Sequence, residues 1–234
     1  MKIHPPLHSW QVTPQQAIEL QRTLTSKVLR EGQLTSEPRY VAGVDISGED
    51  KEGFAIGAAV VLSFPGLELA EVKRARVKPN FPYVAGLLSF RESPVVLAAL
   101  ERLTLKPDVV MVDGQGLAHP RRFGIACHLG LLLDMPTIGC AKSILVGKYS
   151  NLDEKAGSTA DLVDREEVVG AAVRTRDGVS PVFVSVGHRI DLTSAIGLTM
   201  ACCKGYRIPE PTRLAHQAAA LRLEEMEPKS KLDR

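Results

Sequence analysis

The sequence predicts a mixed α/β fold, and three observations carry that expectation. Three β-rich runs in the first third of the chain are joined by short turn-forming links, which suit antiparallel neighbours. From Ser93 onward the pattern changes to helix, strand, helix, strand, at the spacing of a parallel βαβ unit. A chain of 234 residues with 44% hydrophobic content can bury a sizeable core, and it holds no internal repeat, low-complexity tract or linker, so a single domain over 1–234 is expected.

Thr13-Pro14-Gln15-Gln16 reads as a helix start, with a threonine cap, a proline in the first turn and a glutamine three residues after the cap. Ala17, Leu20, Leu24 and Val28 follow at helical spacing, and Gly32 stops the run. After Pro38 the pattern becomes strand-like over 40–46, 54–64 and 68–77, interrupted by the polar residues 48–53 and by Pro65-Gly66. A helix is expected from Ser93-Pro94 to Leu105, then a buried strand over 109–112, a helix over 122–133 and a strand over 137–140. The polar stretch 147–165 reads as loop. Strands over 168–173 and 182–186 and helices over 192–202 and 211–226 complete the chain, before a charged tail, 228–234, expected to be disordered.

Composition removes several classes of function. No stretch approaches the roughly 18 consecutive apolar residues of a membrane helix, and residues 1–10 lack the apolar segment of a secretory signal, so neither an integral membrane protein nor a secreted one is expected. Lys and Arg total 29 against 27 Asp and Glu, and a net charge of +2 confines any nucleic-acid footprint to a local patch. Cys127, Cys140, Cys202 and Cys203 all fall in apolar segments without a C-x-x-C pair, which reads as reduced core thiols in a cytoplasmic protein.

The candidate chemistry gathers at strand ends. Asp45 closes the apolar run Val41-Ala42-Gly43-Val44, and Asp113 closes Val109-Val110-Met111-Val112. Singly, each reads as a turn or cap residue. If the two strands are parallel neighbours, the carboxylates lie side by side at the sheet edge where ligands of open α/β sheets gather, and such a pair is unfavourable unless a cation or a proton lies between them. Oxygen ligands of this kind suit Mg²⁺ or Mn²⁺ and point to phosphoryl chemistry. Glu92 stands just before the expected helix, where an acid equally suits the helix dipole. The run Asp113-Gly114-Gln115-Gly116-Leu117-Ala118-His119-Pro120-Arg121-Arg122 packs an acid, two glycines, a histidine and two arginines into one strand-to-helix loop. His119 reads as a proton-handling group or a packed loop histidine, and the arginines as phosphate ligands or a solvated helix start. Lys142 follows a third strand, where it reads as a phosphate partner or a surface lysine, and His216 reads as a ligand or an ordinary helix histidine.

Taken in order, these residues make the chain resemble the endonuclease V family, metal-dependent nucleases that act on deaminated bases, chiefly inosine, in nucleic acids. The matching runs are Tyr40 to Asp45, Pro82-Tyr83 with Gly86 to Glu92, Lys106 to Asp108 through His119 to Arg121, Pro136 to Gly139 with Ala141 to Ser143, Gly187-His188, and Arg207 to His216. The resemblance implies an α/β, ribonuclease H-like fold with a mixed five-stranded central sheet flanked by helices. It implies that Asp45, Glu92 and Asp113 hold the metal, with His216 as a fourth ligand where some relatives carry a different polar or acidic residue. Lys142 and His119 match positions near the scissile phosphate and attacking water. Pro82, Tyr83, Val84 and Ala85 match the wedge that fills the gap left by an extruded base. The usual second proline is replaced by Ala85, which removes one source of loop rigidity. Gly86, Leu88, Gly114, Gly116, Ile125 and Gly139 match the base pocket. Implied too are Mg²⁺ as cofactor with Mn²⁺ substituting, and cleavage at the second bond 3′ of the lesion, with 3′-hydroxyl and 5′-phosphate ends that initiate DNA repair. The implied partners are DNA containing deaminated bases and inosine-containing RNA, met by a monomer without membrane contact. The alternatives are another structure-selective nuclease of the same fold, against which the wedge argues, and a non-catalytic sensor of deaminated bases, against which the three acids argue.

Overall fold

The computed structural model describes residues 7–32, 34 and 37–225. Helix α1 (Pro14–Leu24) begins as its sequence dictates: the Gln16 N–H donates to the Thr13 hydroxyl at 3.3 Å, and the Thr13 N–H donates to the Gln16 side chain at 2.8 Å. It ends earlier than the apolar spacing suggests, passing into a 3₁₀ turn at Thr25–Lys27. Hydroxyls explain the early stop. Thr23 and Ser26 donate to the nearby carbonyls of Glu19 and Thr23, and Thr25 turns away to the Arg122 carbonyl.

The antiparallel trio forms as expected, as β1 (Tyr40–Ile46), β2 (Ala55–Ser63) and β3 (Leu69–Val77). Helix α2 (Leu88–Glu101) starts five residues before the expected Ser93, so Glu92 lies inside it rather than ahead of it. Pro94, at the expected start, sits in the helix interior, and the true start at Leu87 carries no side-chain cap to announce it. Strand β4 (Val109–Val112), helix α3 (Ile125–Leu133) and strand β5 (Thr137–Ala141) make the parallel unit. Beyond it come β6 (Thr159–Asp164), β7 (Glu167–Val173), β8 (Val182–His188), α4 (Leu192–Ala201) and α5 (Glu210–Ala219). Helix α5 is shorter than expected, and Met226 and the tail 228–234 lie outside the described residues.

The strands form one sheet in the order β3-β2-β1-β4-β5-β8-β7-β6. Its first five strands are the ribonuclease H-like core, with β1, β4 and β5 parallel. Among the described residues the five-strand expectation is corrected to eight, because β8, β7 and β6 continue the sheet antiparallel to β5 and to one another. Strand β6 lies within the stretch read as loop. It is an edge strand with only Leu162 buried, and its polar composition hides it.

Period-two alternation splits the core into two layers. Val41, Val109, Met111 and Ile138 meet Ala195, Leu198, Ala215 and Ala218 of α4 and α5 on one face. Ala42, Val44, Val110 and Val112 meet Val96, Leu100 and Leu129 of α2 and α3 on the other. Burial on both faces is why the central strands read as unbroken apolar runs. Cys127, Cys140 and Cys202 are buried and all four cysteines are free, with burial pushing the Cys127 and Cys202 thiols up to about 12. Among the described residues no helix is long and apolar enough to cross a membrane.

Candidate active site

Val44 and Val112 are partners in the parallel β1–β4 ladder, so the next residue on each strand, Asp45 and Asp113, emerges at the same sheet edge. Helix α5 reaches this edge because Gly43 lacks a side chain: a Cβ there would stand 1.9 Å from the Pro211 carbonyl oxygen. That close approach lays His216 over Asp45, its Nδ1 2.7 Å from the carboxylate. Potential ligand atoms of Asp45, Asp113 and His216 all lie within 4.8 Å of one another.

Glu92 arrives from the opposite face on α2. It stands outside that tight trio, yet burial, reinforced by the charges of Asp45 and Asp113, pushes its carboxyl up to about 8. Asp45 is raised as well, by burial and by Asp113, against the Ile46 N–H and His216 that favour its ionised form. Acids crowded in this way resist full ionisation together, and a divalent cation removes the conflict. The donor set of carboxylate oxygens with one imidazole fits Mg²⁺ or Mn²⁺. Lys142, at the end of β5, forms an ion pair with Asp113. Its main chain is held by Arg207, which donates to the Lys142 carbonyl at 2.7 Å and to the carbonyls of Ser180 and Pro181 at 2.9 and 2.8 Å.

Beside the acids opens a cavity of about 450 Å³, and Asp113 and Lys142 belong to its wall. Tyr83, Val84, Ala85, Gly86, Leu88, Gly114 and Ile125 line it too, which brings most of the expected wedge and base pocket together. Tyr83 is 77% exposed at the rim. The loop behind it is held without the missing proline. The Leu87 N–H donates to the Val84 carbonyl at 2.9 Å, Val84 packs against the cluster of Phe81, Leu87 and Phe90, and Arg91 holds the Phe81 carbonyl. Gly116 and Gly139 do not line the cavity. They pack against each other, with a Cβ on Gly139 falling 2.5 Å from the Gly116 nitrogen, so their contribution is to let the loop lie flat on β5. A second cavity, of about 500 Å³, lies at the far end of the parallel strands beside Asp108, Asp134 and Arg189, and none of the expected site residues lines it.

His119 also lines the first cavity, but it is only 3% exposed and both ring nitrogens are committed: Nδ1 accepts from the Arg121 N–H at 3.2 Å, and Nε2 donates to the Gly86 carbonyl at 3.0 Å. Burial, with Arg121 beside it, pushes the ring down to about 4. In this arrangement neither nitrogen is free to exchange a proton with a substrate. Gln21 is a cavity residue that the sequence reading passed over, although it had left a signal: a glutamine four residues after Ala17, on the buried stripe of α1.

The sequence model of the family Endonuclease V matches residues 22–217. An Endonuclease V of Gloeobacter violaceus is 56% identical over 218 residues, covering 92% of this chain and 88% of that protein. Among solved structures, the Endonuclease V of Streptomyces avermitilis superposes with a TM-score of 0.86 at 44% identity, over 91% of this chain and 94% of that one. The Ciona intestinalis Endonuclease V, solved in complex with a 24mer DNA containing an inosine followed by a ribo-adenosine, gives a TM-score of 0.77 at 29% identity, over 88% of this chain and 96% of that one.

Proposed function

The chain belongs to the endonuclease V family, and from that premise we propose that it is a metal-dependent endonuclease that recognises deaminated bases, chiefly inosine, in DNA and hydrolyses the second phosphodiester 3′ of the lesion to initiate repair. Inosine-containing RNA is a further substrate in this reading, and the enzyme acts in the cytoplasm as a monomeric single domain. The observation that carries the proposal is the crowding of Asp45, Glu92 and Asp113, with Glu92 pushed up to about 8, beside a cavity of about 450 Å³ rimmed by an exposed tyrosine. The inosine-containing DNA held by the Ciona relative supports the substrate.

Asp45, Glu92, Asp113 and His216 would hold Mg²⁺, or Mn²⁺ in its place. When bound, the ion lowers the pKa of water and offsets charge on the scissile phosphate. The remaining work falls to the chain itself. Water adds to phosphorus and the P–O3′ bond breaks, leaving a 3′-hydroxyl and a 5′-phosphate, while the Lys142 ammonium turns from Asp113 to the charge accumulating on the phosphate oxygens. Tyr83 enters the base stack, and the extruded purine enters the cavity. Extrusion costs a few kcal/mol, less for a mispaired base such as inosine, and aromatic stacking offsets about 1–3 kcal/mol of it. Inosine is accepted because its 6-oxo group meets main-chain N–H groups, whereas the 6-amino group of adenine presents a donor to donors.

The test is Mg²⁺-dependent cleavage of matched DNA and RNA oligonucleotides carrying inosine or adenine at one position, with the ends mapped. Cleavage at the second bond 3′ of inosine is the expected result. Equal cutting of the adenine control, or no cutting of inosine DNA, overturns the proposal.

A further inference from the structure

Three side chains from two parts of the chain converge on a single carbonyl in the wall of the cavity. The Gly86 oxygen accepts from Gln21 Nε2 at 3.0 Å, from His119 Nε2 at 3.0 Å and from an Arg121 Nη at 2.7 Å. A carbonyl oxygen has two lone pairs, so the third donor goes beyond what satisfying a buried acceptor requires. The donors are also fixed by one another. Arg121 donates from Nε to Gln21 Oε1 and from its backbone to His119 Nδ1, while Gln21 Nε2 makes a second bond, at 3.0 Å, to the Phe123 carbonyl. Gln21 is 1% exposed; both N–H donors of its amide are used, and its oxygen accepts from Arg121. The carbonyl they hold belongs to a glycine at φ +76°, a backbone conformation that strains any other residue, and a Cβ there would fall 2.8 Å from the Arg121 guanidinium and displace it.

The position of this peptide explains the effort. Its other end, the Leu87 N–H, closes the turn to Val84, directly after Tyr83. On its far side α2 begins at Leu88 with no side-chain cap; the Phe90 N–H donates to the Leu87 carbonyl at 3.0 Å, so the N–H groups of Leu88 and Ser89 lie ahead of the helix's own bonds, and both residues line the cavity. We propose that Gln21, His119 and Arg121 are positioning residues for lesion recognition: by clamping the Gly86 carbonyl inward they hold the uncapped start of α2 toward the cavity as the donor array that reads the 6-oxo group of the extruded purine. The proposal rests on the function proposed above and assigns Gln21, on α1, a part in substrate selection. His119 serves as a neutral Nε2–H donor, which its depressed pKa of about 4 preserves at ordinary pH.

The experiment compares the affinity of the full-length chain for a duplex with one inosine and for the same duplex undamaged, in Ca²⁺, followed by the Mg²⁺ cleavage rate at saturating enzyme. Gln21→Leu removes the donors, and Gln21→Glu keeps the size and the Arg121 contact but also lacks the donors. Both should lower the inosine preference about tenfold, the effect of one lost hydrogen bond. Affinity for undamaged duplex should stay within about threefold, and the saturated cleavage rate should fall far less than the inosine affinity. His119→Gln, which restores an N–H donor, should retain more of the preference than His119→Leu. Unchanged preference in folded variants overturns the proposal, as does equal weakening on both duplexes. Should both Gln21 variants fail to fold by circular dichroism, the clamp is a folding element and the proposal also falls. A wild-type chain without inosine preference would instead overturn the underlying function.

Discussion

At Asp45 the carboxylate is held between opposing influences: burial and Asp113 raise its pKa, while the Ile46 N–H and His216 favour its charge. Lys142 stands against Asp113 in the same cluster. A cation beside the scissile phosphate is most valuable where charge accumulates in the transition state. Lys142→Ala should therefore lower the single-turnover rate by roughly 100-fold or more, with duplex affinity changed only a few-fold; a loss confined to affinity would make Lys142 a backbone-steering residue. Away from the acids, His128 is fully buried, 2.7 Å from His8 Nε2 and 3.1 Å from the Ser89 hydroxyl, and burial drives its pKa well below the ordinary histidine value. The folded chain holds it neutral, while the unfolded chain protonates it below about pH 6.5, so its contribution is present above that pH and declines as pH falls. The stability difference between wild type and His128→Asn, from urea unfolding, should narrow by roughly 1–2 kcal/mol between pH 7.0 and 5.5. The counter-trend from Glu92 is common to both proteins and cancels; a difference that does not move with pH contradicts the assignment.

Helix α5 touches β1 so closely at Gly43 that an added methyl has no space. Gly43→Ala should cost about 1–3 kcal/mol and lift His216 away from Asp45, weakening Mn²⁺ binding as well as lowering the melting temperature; loss of stability with unchanged Mn²⁺ affinity would separate the helix seat from the metal site. The loop carrying Tyr83 makes a second element-level claim. If the ring opens the helix, Tyr83→Ala should slow cleavage of an inosine duplex by roughly tenfold more than cleavage of the single strand. Equal loss on both would rule out the wedge. The strand ends bearing Asp45 and Asp113 were legible because buried parallel strands are apolar throughout and the aspartates interrupt them abruptly. Glu92 was harder to place, since an interior proline looks like a helix start and the true start has no cap. Strand β6 was invisible because an edge strand with one buried residue carries no apolar alternation. The clamp on Gly86 was hidden for another reason: convergence of Gln21 with a loop about 100 residues away is a property of tertiary packing, and only a polar residue on an apolar stripe hinted at it.

Across the described residues, the sheet separates two helical layers, and at the carboxyl ends of β1, β4 and β5 α2 brings Glu92 from one face and α5 brings His216 from the other. In the proposed function chemistry and recognition share this edge, since Asp113 and Lys142 belong both to the acidic centre and to the wall of the cavity. The three additional strands extend the sheet from β5, and Arg207, bonded to the carbonyls before β8 and to Lys142, ties that extension to the site. The central claim, that carboxylates at the ends of β1 and β4 hold the ion for cleavage next to a captured inosine, is tested most directly by single-turnover cleavage of an inosine duplex in Mg²⁺ with wild type, Asp45→Asn and Asp113→Asn, beside binding of the same duplex in Ca²⁺. Both variants should cut at least about 1000-fold more slowly than wild type while binding the lesion within a few-fold of it; cleavage near the wild-type rate by either variant would contradict the claim.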